Sequence, residues 1–130
     1  MAERLTIGEL LEAARRGFER IEPEAAHAAM LDGALLIDTR AGDLRRETGI
    51  IPGSVHVPLS VLFWRLDPSS ESADPALADL DRRVILVCAH GYSSSLAAAT
   101  LRQIGFSRAT DVAGGIEAWA AAGLPLEPVP

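Results

Sequence analysis

Two short stretches, residues 34–37 (Ala-Leu-Leu-Ile) and 84–87 (Val-Ile-Leu-Val), are apolar at every position and end on Asp38 and Cys88. Unbroken apolar runs of this length predict strands buried on both faces, as in a parallel sheet. Weaker runs at 55–57 and 109–112 predict further short strands. Between them the apolar spacing turns helical. Thr6 with Glu9 three residues on predicts a capped helix start, and Ile7, Leu10, Leu11 and Ala14 then form its apolar stripe. Pro23 suits a first helical position, with Ala25, Ala26, Ala29 and Met30 carrying that helix towards Gly33. Residues 59–66 predict one or two helical turns, 76–80 a short helix, 95–104 a helix closed by Gly105, and 116–122 a helix ending at Gly123. The polar stretch from Asp38 to Gly49 reads as irregular, Pro52-Gly53 as a turn, and 67–74 as a mobile Pro/Ser loop.

Strands alternating with helices define an α/β fold: a mostly parallel sheet of about five short strands, flanked by helices on both faces. At 130 residues, without repeat or long linker, the chain has the size of one domain.

Composition removes several chemistries. All twelve cationic residues are Arg, so a P-loop lysine and a Schiff base are excluded. Asn is absent, which excludes a Cys-His-Asn arrangement. Cys88 is the single cysteine, so no internal disulfide, CxxC pair or cysteine zinc site exists, and no metal or cofactor is expected. A net charge of −6 with scattered arginines argues against nucleic acid. No apolar run has the length of a membrane span, and the charged, helical N-terminus is unlike a signal peptide. A cytoplasmic location is the expectation.

The informative loop is Cys88-Ala89-His90-Gly91-Tyr92-Ser93-Ser94. Cys88 stands at the carboxyl end of a buried strand, where parallel sheets bind ligands. A tight turn from there into a helix, eased by Gly91, points backbone N–H groups inward at the positive end of the helix dipole. A thiolate held there has a lowered pKa and is available as a nucleophile. Position alone equally permits a buried structural cysteine followed by serine helix caps. The run 91–95 lacks the second glycine of a GxSxG elbow.

Four segments then carry a family resemblance. Residues 35–40 (Leu-Leu-Ile-Asp-Thr-Arg) resemble a strand ending in Asp-x-Arg, 49–54 resemble Gly-His-Ile-Pro-Gly-Ala, 87–94 resemble an active-site loop, and 114–119 resemble a Gly-Gly-x-x-Ala-Trp ending. In this order and spacing the chain resembles rhodanese-like domains, most closely single-domain bacterial thiosulfate sulfurtransferases. The resemblance covers 23–128, leaving 1–22 as an N-terminal helical extension. It implies that Cys88 takes sulfur from a small donor such as thiosulfate, becomes a persulfide, and passes that sulfur to cyanide or an external thiol, small or on a protein. Residues 89–94 are implied to bind the anion.

Two other readings of the resemblance are a non-catalytic sulfur carrier or regulatory binding module, and a phosphatase or arsenate reductase-like enzyme. The intact nucleophile favours the enzyme over the module. The phosphatases place Arg where this chain has Ser94, so they lack support here. Ile50 replaces the family's frequent His, and Ala89 and His90 stand where some thiosulfate-using members carry two cations. With only His90 as a loop cation, weak thiosulfate binding is expected.

Elsewhere, Asp38 and Arg40 are two apart on a strand and are expected to form a structural pair near the site. Arg65 is a candidate for steering an anion towards Cys88. His27 is expected to pack or face solvent, His56 to be a satisfied polar group at the rim, and Trp64 and Trp119 to be packing residues. With no second cysteine to attack a persulfide, Tyr92 and the loop 67–74 are the expected docking surface for an acceptor.

Overall fold

A computed structural model describes residues 3–130. Its sheet is fully parallel, with β1 (Leu35–Asp38), β2 (Val55–His56), β3 (Val84–Val87) and β4 (Thr110–Asp111) in the order β2-β1-β3-β4. Four strands form where about five were expected. A fifth line is reduced to one bridge, Ile21 beside Val112 at the β4 edge. Alternation along β1 and β3 divides the core. Leu35, Ile37, Val84 and Leu86 face one side with Leu62, Leu66, Leu101 and Phe106. Leu36, Ile85 and Val87 face the other with Ala26, Ile116 and Trp119. Helices α4 (Leu62–Leu66) and α5 (Ser93–Gln103) cover the first side, and α2 (Pro23–Leu31) and α6 (Gly115–Ala121) the second.

Helix α1 (Ile7–Arg16) has the expected capping box, with Glu9 N–H donating to Thr6 Oγ1 and Thr6 N–H to Glu9 Oε1. Its apolar stripe does not enter the core: Ile7 and Leu10 are exposed. The helix packs instead on α5, next to the cysteine loop.

Several local expectations change. Residues 42–48 form a further helix, α3 (Gly42–Thr48), in the stretch expected to be irregular. Its Arg45 folds back on β1, reaching Asp38 beside Arg40. Residues 76–80 are turns, not a helix, closed by bonds from Leu77 and Ala78 N–H to the Asp74 carbonyl. The loop 67–74 is a chain of turns tied by Ser69 to Asp67, by Ser72 to Ser70, and by Asp74 N–H to the Arg65 carbonyl at 2.8 Å. Trp64 is 59% exposed and is not a packing residue, whereas Trp119 is fully buried, with His27 edge-on to its ring.

The topology fixes the site. From β1 the chain moves outward to β2, then crosses back to β3 and continues outward to β4. Connections leaving β1 and β3 therefore diverge, and the crevice at their carboxyl ends is where such sheets bind ligands.

Candidate active site

Cys88 follows β3 at this crevice and is buried, with 7% of its surface exposed. Helix α5 begins at Ser93, two residues earlier than the apolar pattern predicts, so Ser93 and Ser94 lie in its first turn. The first N–H groups of a helix have no intrahelical partner and are free to face an anion. Gly91 N–H donates to Cys88 Sγ at 3.2 Å, and the thiol lies 3.2 Å from Ser94 Oγ. Burial by itself pushes the Cys88 thiol up. Hydrogen bonds available to the anion from the Ser94 and Ser93 hydroxyls, and from the Ser94 and Gly91 amides, outweigh it and hold the thiol below its ordinary value. A thiolate or a persulfide anion is the species this nest stabilises.

Glycines make the turn possible. Gly91 has φ +83, and an added Cβ there would meet Gly114 N at 2.8 Å. Gly115, at φ +63, lies so close under the loop that a Cβ would collide with the Cys88 and Ala89 carbonyls. That approach lets the first amides of α6 hold the loop's outer carbonyls, Ile116 N–H to Cys88 O at 2.8 Å and Glu117 N–H to Ala89 O at 3.2 Å.

The expected Asp38–Arg40 pair is present and buried. Arg40 Nε donates to Asp38 Oδ1 at 3.0 Å and Nη2 to Oδ2 at 2.9 Å, with Nη2 also on the Gly49 carbonyl at 2.8 Å. Ile50, which occupies the family's frequent His position, is buried, and its N–H bonds the Glu127 carbonyl at 2.8 Å. His56 Nε2 is 2.7 Å from the Arg40 carbonyl. On the crevice side, Ala89 and His90 share a cleft of about 320 Å³ with Arg40, Thr48, Ile116 and Leu126. The His90 ring is 2.7 Å from Glu117 Oε2, so a carboxylate offsets whatever charge the loop's own cation carries.

The residues singled out from sequence do not all meet. Arg65 lies beside Trp64 and Ser72 on the α4 side, with Nη1 3.5 Å from the Ser72 carbonyl. The clefts it lines, one with Trp64 and Ser72 and one with His56 and Asp74, hold no residue of the cysteine loop. The loop 67–74 meets Arg65 through Ser72, whereas exposed Tyr92 borders a cleft with His90 and Glu117. Of the expected docking surface, Tyr92 adjoins the nest.

Sequence reasoning missed three residues that do. Arg15 Nη2 and Arg20 Nη2 donate to the Gly91 carbonyl at 2.7 and 2.9 Å. Asp111, fully buried at the end of β4, accepts from Ser94 and Ser95 hydroxyls at 2.8 Å each, and from Arg20 Nε at 2.9 Å. The one legible signal was Asp111 itself, an acidic residue inside the short strand predicted at 109–112. No spacing rule links it to Arg20, 91 residues away.

Comparison with known proteins matches residues 22–122 to the rhodanese-like domain family. The chain is 42% identical over 104 residues to thiosulfate sulfurtransferase GlpE of Pseudomonas savastanoi, covering 80% of this chain and 89% of that protein. It is 41% identical over 102 residues to the GlpE of Stutzerimonas stutzeri, covering 78% and 84%. Among solved structures, a Rhodopseudomonas palustris protein described as a possible tyrosine phosphatase superposes with a TM-score of 0.87 at 30% identity, over 98% of this chain and 99% of that one. The polysulfide-sulfur transferase homodimer of Wolinella succinogenes shares the fold, with a TM-score of 0.74 at 24% identity over 92% and 85%.

Proposed function

The chain belongs to the rhodanese-like domain family, and on that premise we propose that it is a sulfurtransferase of the thiosulfate sulfurtransferase type, working through a persulfide on Cys88. The observation that carries this is the buried Cys88 sulfur, met by the Gly91 N–H and the Ser94 hydroxyl at the start of α5, in a chain similar to curated thiosulfate sulfurtransferases.

The chemistry has two displacements. The Cys88 thiolate attacks the outer sulfur of a donor such as thiosulfate. A new Cys88 Sγ–S bond forms as the donor's S–S bond breaks, and sulfite leaves with the electron pair. The persulfide anion then occupies the nest, where the Gly91 amide and the first turn of α5 face it. An acceptor thiolate or cyanide attacks the terminal sulfur, and Cys88 leaves as thiolate. Cys88 is the sole cysteine, so the second nucleophile comes from outside the chain. Ala89 to Ser94 serve as the anion-binding loop, and Asp38–Arg40 braces the adjoining crevice wall. We take 23–128 as the sulfurtransferase domain and 1–22 as its extension. Among the described residues no helix is long and apolar enough to cross a membrane.

A phosphatase reading, suggested by the description of the R. palustris neighbour, lacks its arginine. Ser94 fills the position, and the nearby Arg15 and Arg20 guanidinium groups are engaged with the back of the loop. A phosphoryl group at Cys88 would have no guanidinium clamp in the nest.

Incubation with thiosulfate followed by intact-mass spectrometry tests the proposal. One added sulfur on wild type and none on Cys88→Ala is the expected result. Turnover retained by Cys88→Ala would overturn it. The adduct should also persist in thiol-free buffer and vanish on addition of glutathione. Equal loss in both would refute the external acceptor.

A further inference from the structure

Behind the nest lies a buried charge that the two displacements do not use. Asp111 has no exposed surface and sits one hydroxyl away from the reacting sulfur: its Oδ2 accepts from Ser94 Oγ, and Ser94 Oγ touches Cys88 Sγ. An unpaired carboxylate there would oppose ionisation of the thiol and stabilise nothing. Its counter-ion is Arg20, which grips it in a two-pronged bond, Nε to Oδ1 at 2.9 Å and Nη2 to Oδ2 at 3.0 Å. Arg20 lies ahead of the residues that match the family, 22–122.

Proton positions follow from the partners. Ser94 has one proton, and in the structure it goes to Asp111, so Ser94 offers Cys88 a lone pair. That arrangement suits a neutral thiol donating S–H. An anionic sulfur needs the reverse, a hydroxyl proton from Ser94. Asp111 Oδ2 carries three donors, Ser94, Ser95 and Arg20, where a carboxylate oxygen has about two lone-pair sites. Losing Ser94 therefore leaves Asp111 satisfied, provided Arg20 and Ser95 stay. Arg15 supports Ser95 in that role: its Nε donates to Ser95 Oγ at 3.0 Å, which leaves the Ser95 proton for its acceptors, Asp111 at 2.8 Å and the more distant Gly91 carbonyl at 3.3 Å. Both arginines also hold the Gly91 carbonyl. Through the planar trans peptide this turns the Tyr92 N–H the opposite way.

We infer that Arg20, supported by Arg15, is a positioning residue for sulfur transfer: it neutralises buried Asp111 and so frees the Ser94 hydroxyl to turn to the Cys88 sulfur whenever that sulfur is an anion. The inference rests on Cys88 being the sulfur-carrying nucleophile. The charged and titratable groups facing the loop are Arg15 from α1, Arg20, Asp111 from β4, and the His90–Glu117 pair at α6, with exposed Tyr92 beside them and Asp38–Arg40 across the crevice.

The test is the pH profile of Cys88 alkylation by iodoacetamide, which reads thiolate without requiring turnover. In Arg20→Met the midpoint should rise by about one pH unit, so that about tenfold less thiolate is present below it. Arg20→Lys, which retains the charge, should stay near wild type. Arg20→Met/Asp111→Asn removes both charges and should return the midpoint towards wild type, a rescue that a merely structural role for Arg20 does not predict. Should the single variant fail to fold, the double variant decides: a wild-type-like midpoint supports the inference, and one displaced upward overturns it. An Arg20→Met profile superimposed on wild type also overturns it. If wild type takes up no sulfur from thiosulfate or polysulfide, the proposed function fails, while the alkylation comparison still decides the role of Arg20.

Discussion

Replacing Gly91 by Ala puts a side chain where the backbone leaves room for none. Gly91 has φ +83, and the new Cβ would stand 2.8 Å from Gly114 N and 2.9 Å from Arg20 Nη2. The arginine end can swing away. Gly114 has no such freedom, since it is itself at φ +77 and packed against Ala118. Left-handed backbone costs a residue with a Cβ about 1–2 kcal/mol. If the loop keeps its shape, that strain and the clash appear as lost stability, about 2–3 kcal/mol in a urea titration. If the loop instead rotates Gly91 to negative φ, stability recovers, but the Gly91 N–H leaves Cys88 Sγ. A hydrogen bond to a charged group contributes about 1.5–3 kcal/mol, so the thiol midpoint should then rise by about 1–2 pH units. Either branch lowers sulfur transfer at neutral pH, and urea denaturation with the alkylation profile tells them apart. A Gly91→Ala protein with wild-type stability, wild-type thiol midpoint and full turnover would refute the account of the loop.

Three further predictions concern charge. The wild-type alkylation rate should rise with pH and level off, because thiolate is the reacting form, with a midpoint below the ~8.5 of a free cysteine; a midpoint above it would mean that burial outweighs the donors. Ala89→Arg places a permanent cation on the cleft wall beside His90, whose ring faces the Glu117 carboxylate, and should tighten thiosulfate by about 1–2 kcal/mol. A KM for thiosulfate that is unchanged or higher would remove the charge argument. Arg40→Met strips the buried Asp38 of its two-pronged partner and should cost about 3 kcal/mol in urea, the low end for a broken buried pair because Arg45 and the Arg40 N–H remain on Asp38. A loss under about 1 kcal/mol would show that Arg45 alone suffices.

The sequence by itself determined the α/β class, the two central strands and the loop that holds Cys88. The runs at 34–37 and 84–87 are apolar at every position and too short for a buried helix, the pattern of a strand covered on both faces. Cys88 was legible because its neighbours in the chain are also its neighbours in the nest, so four short segments in a fixed order were enough to reveal the family. Local pattern failed where long-range partners decide. α3 carries charges that become favourable only against Asp38 of β1, and the stripe of α1 is only partly covered, because Leu11 and Ala14 are half-buried while Ile7 and Leu10 stay exposed. The Arg15–Arg20–Asp111 device was invisible for the same reason. Its members are separated by up to 96 residues in the chain, and they meet only because a parallel sheet brings the ends of β3 and β4 to one edge and lays the segment around Ile21 beside them. Hydrogen bonds and ion pairs act over a few ångströms of space, which is why their assembly belongs to the tertiary structure.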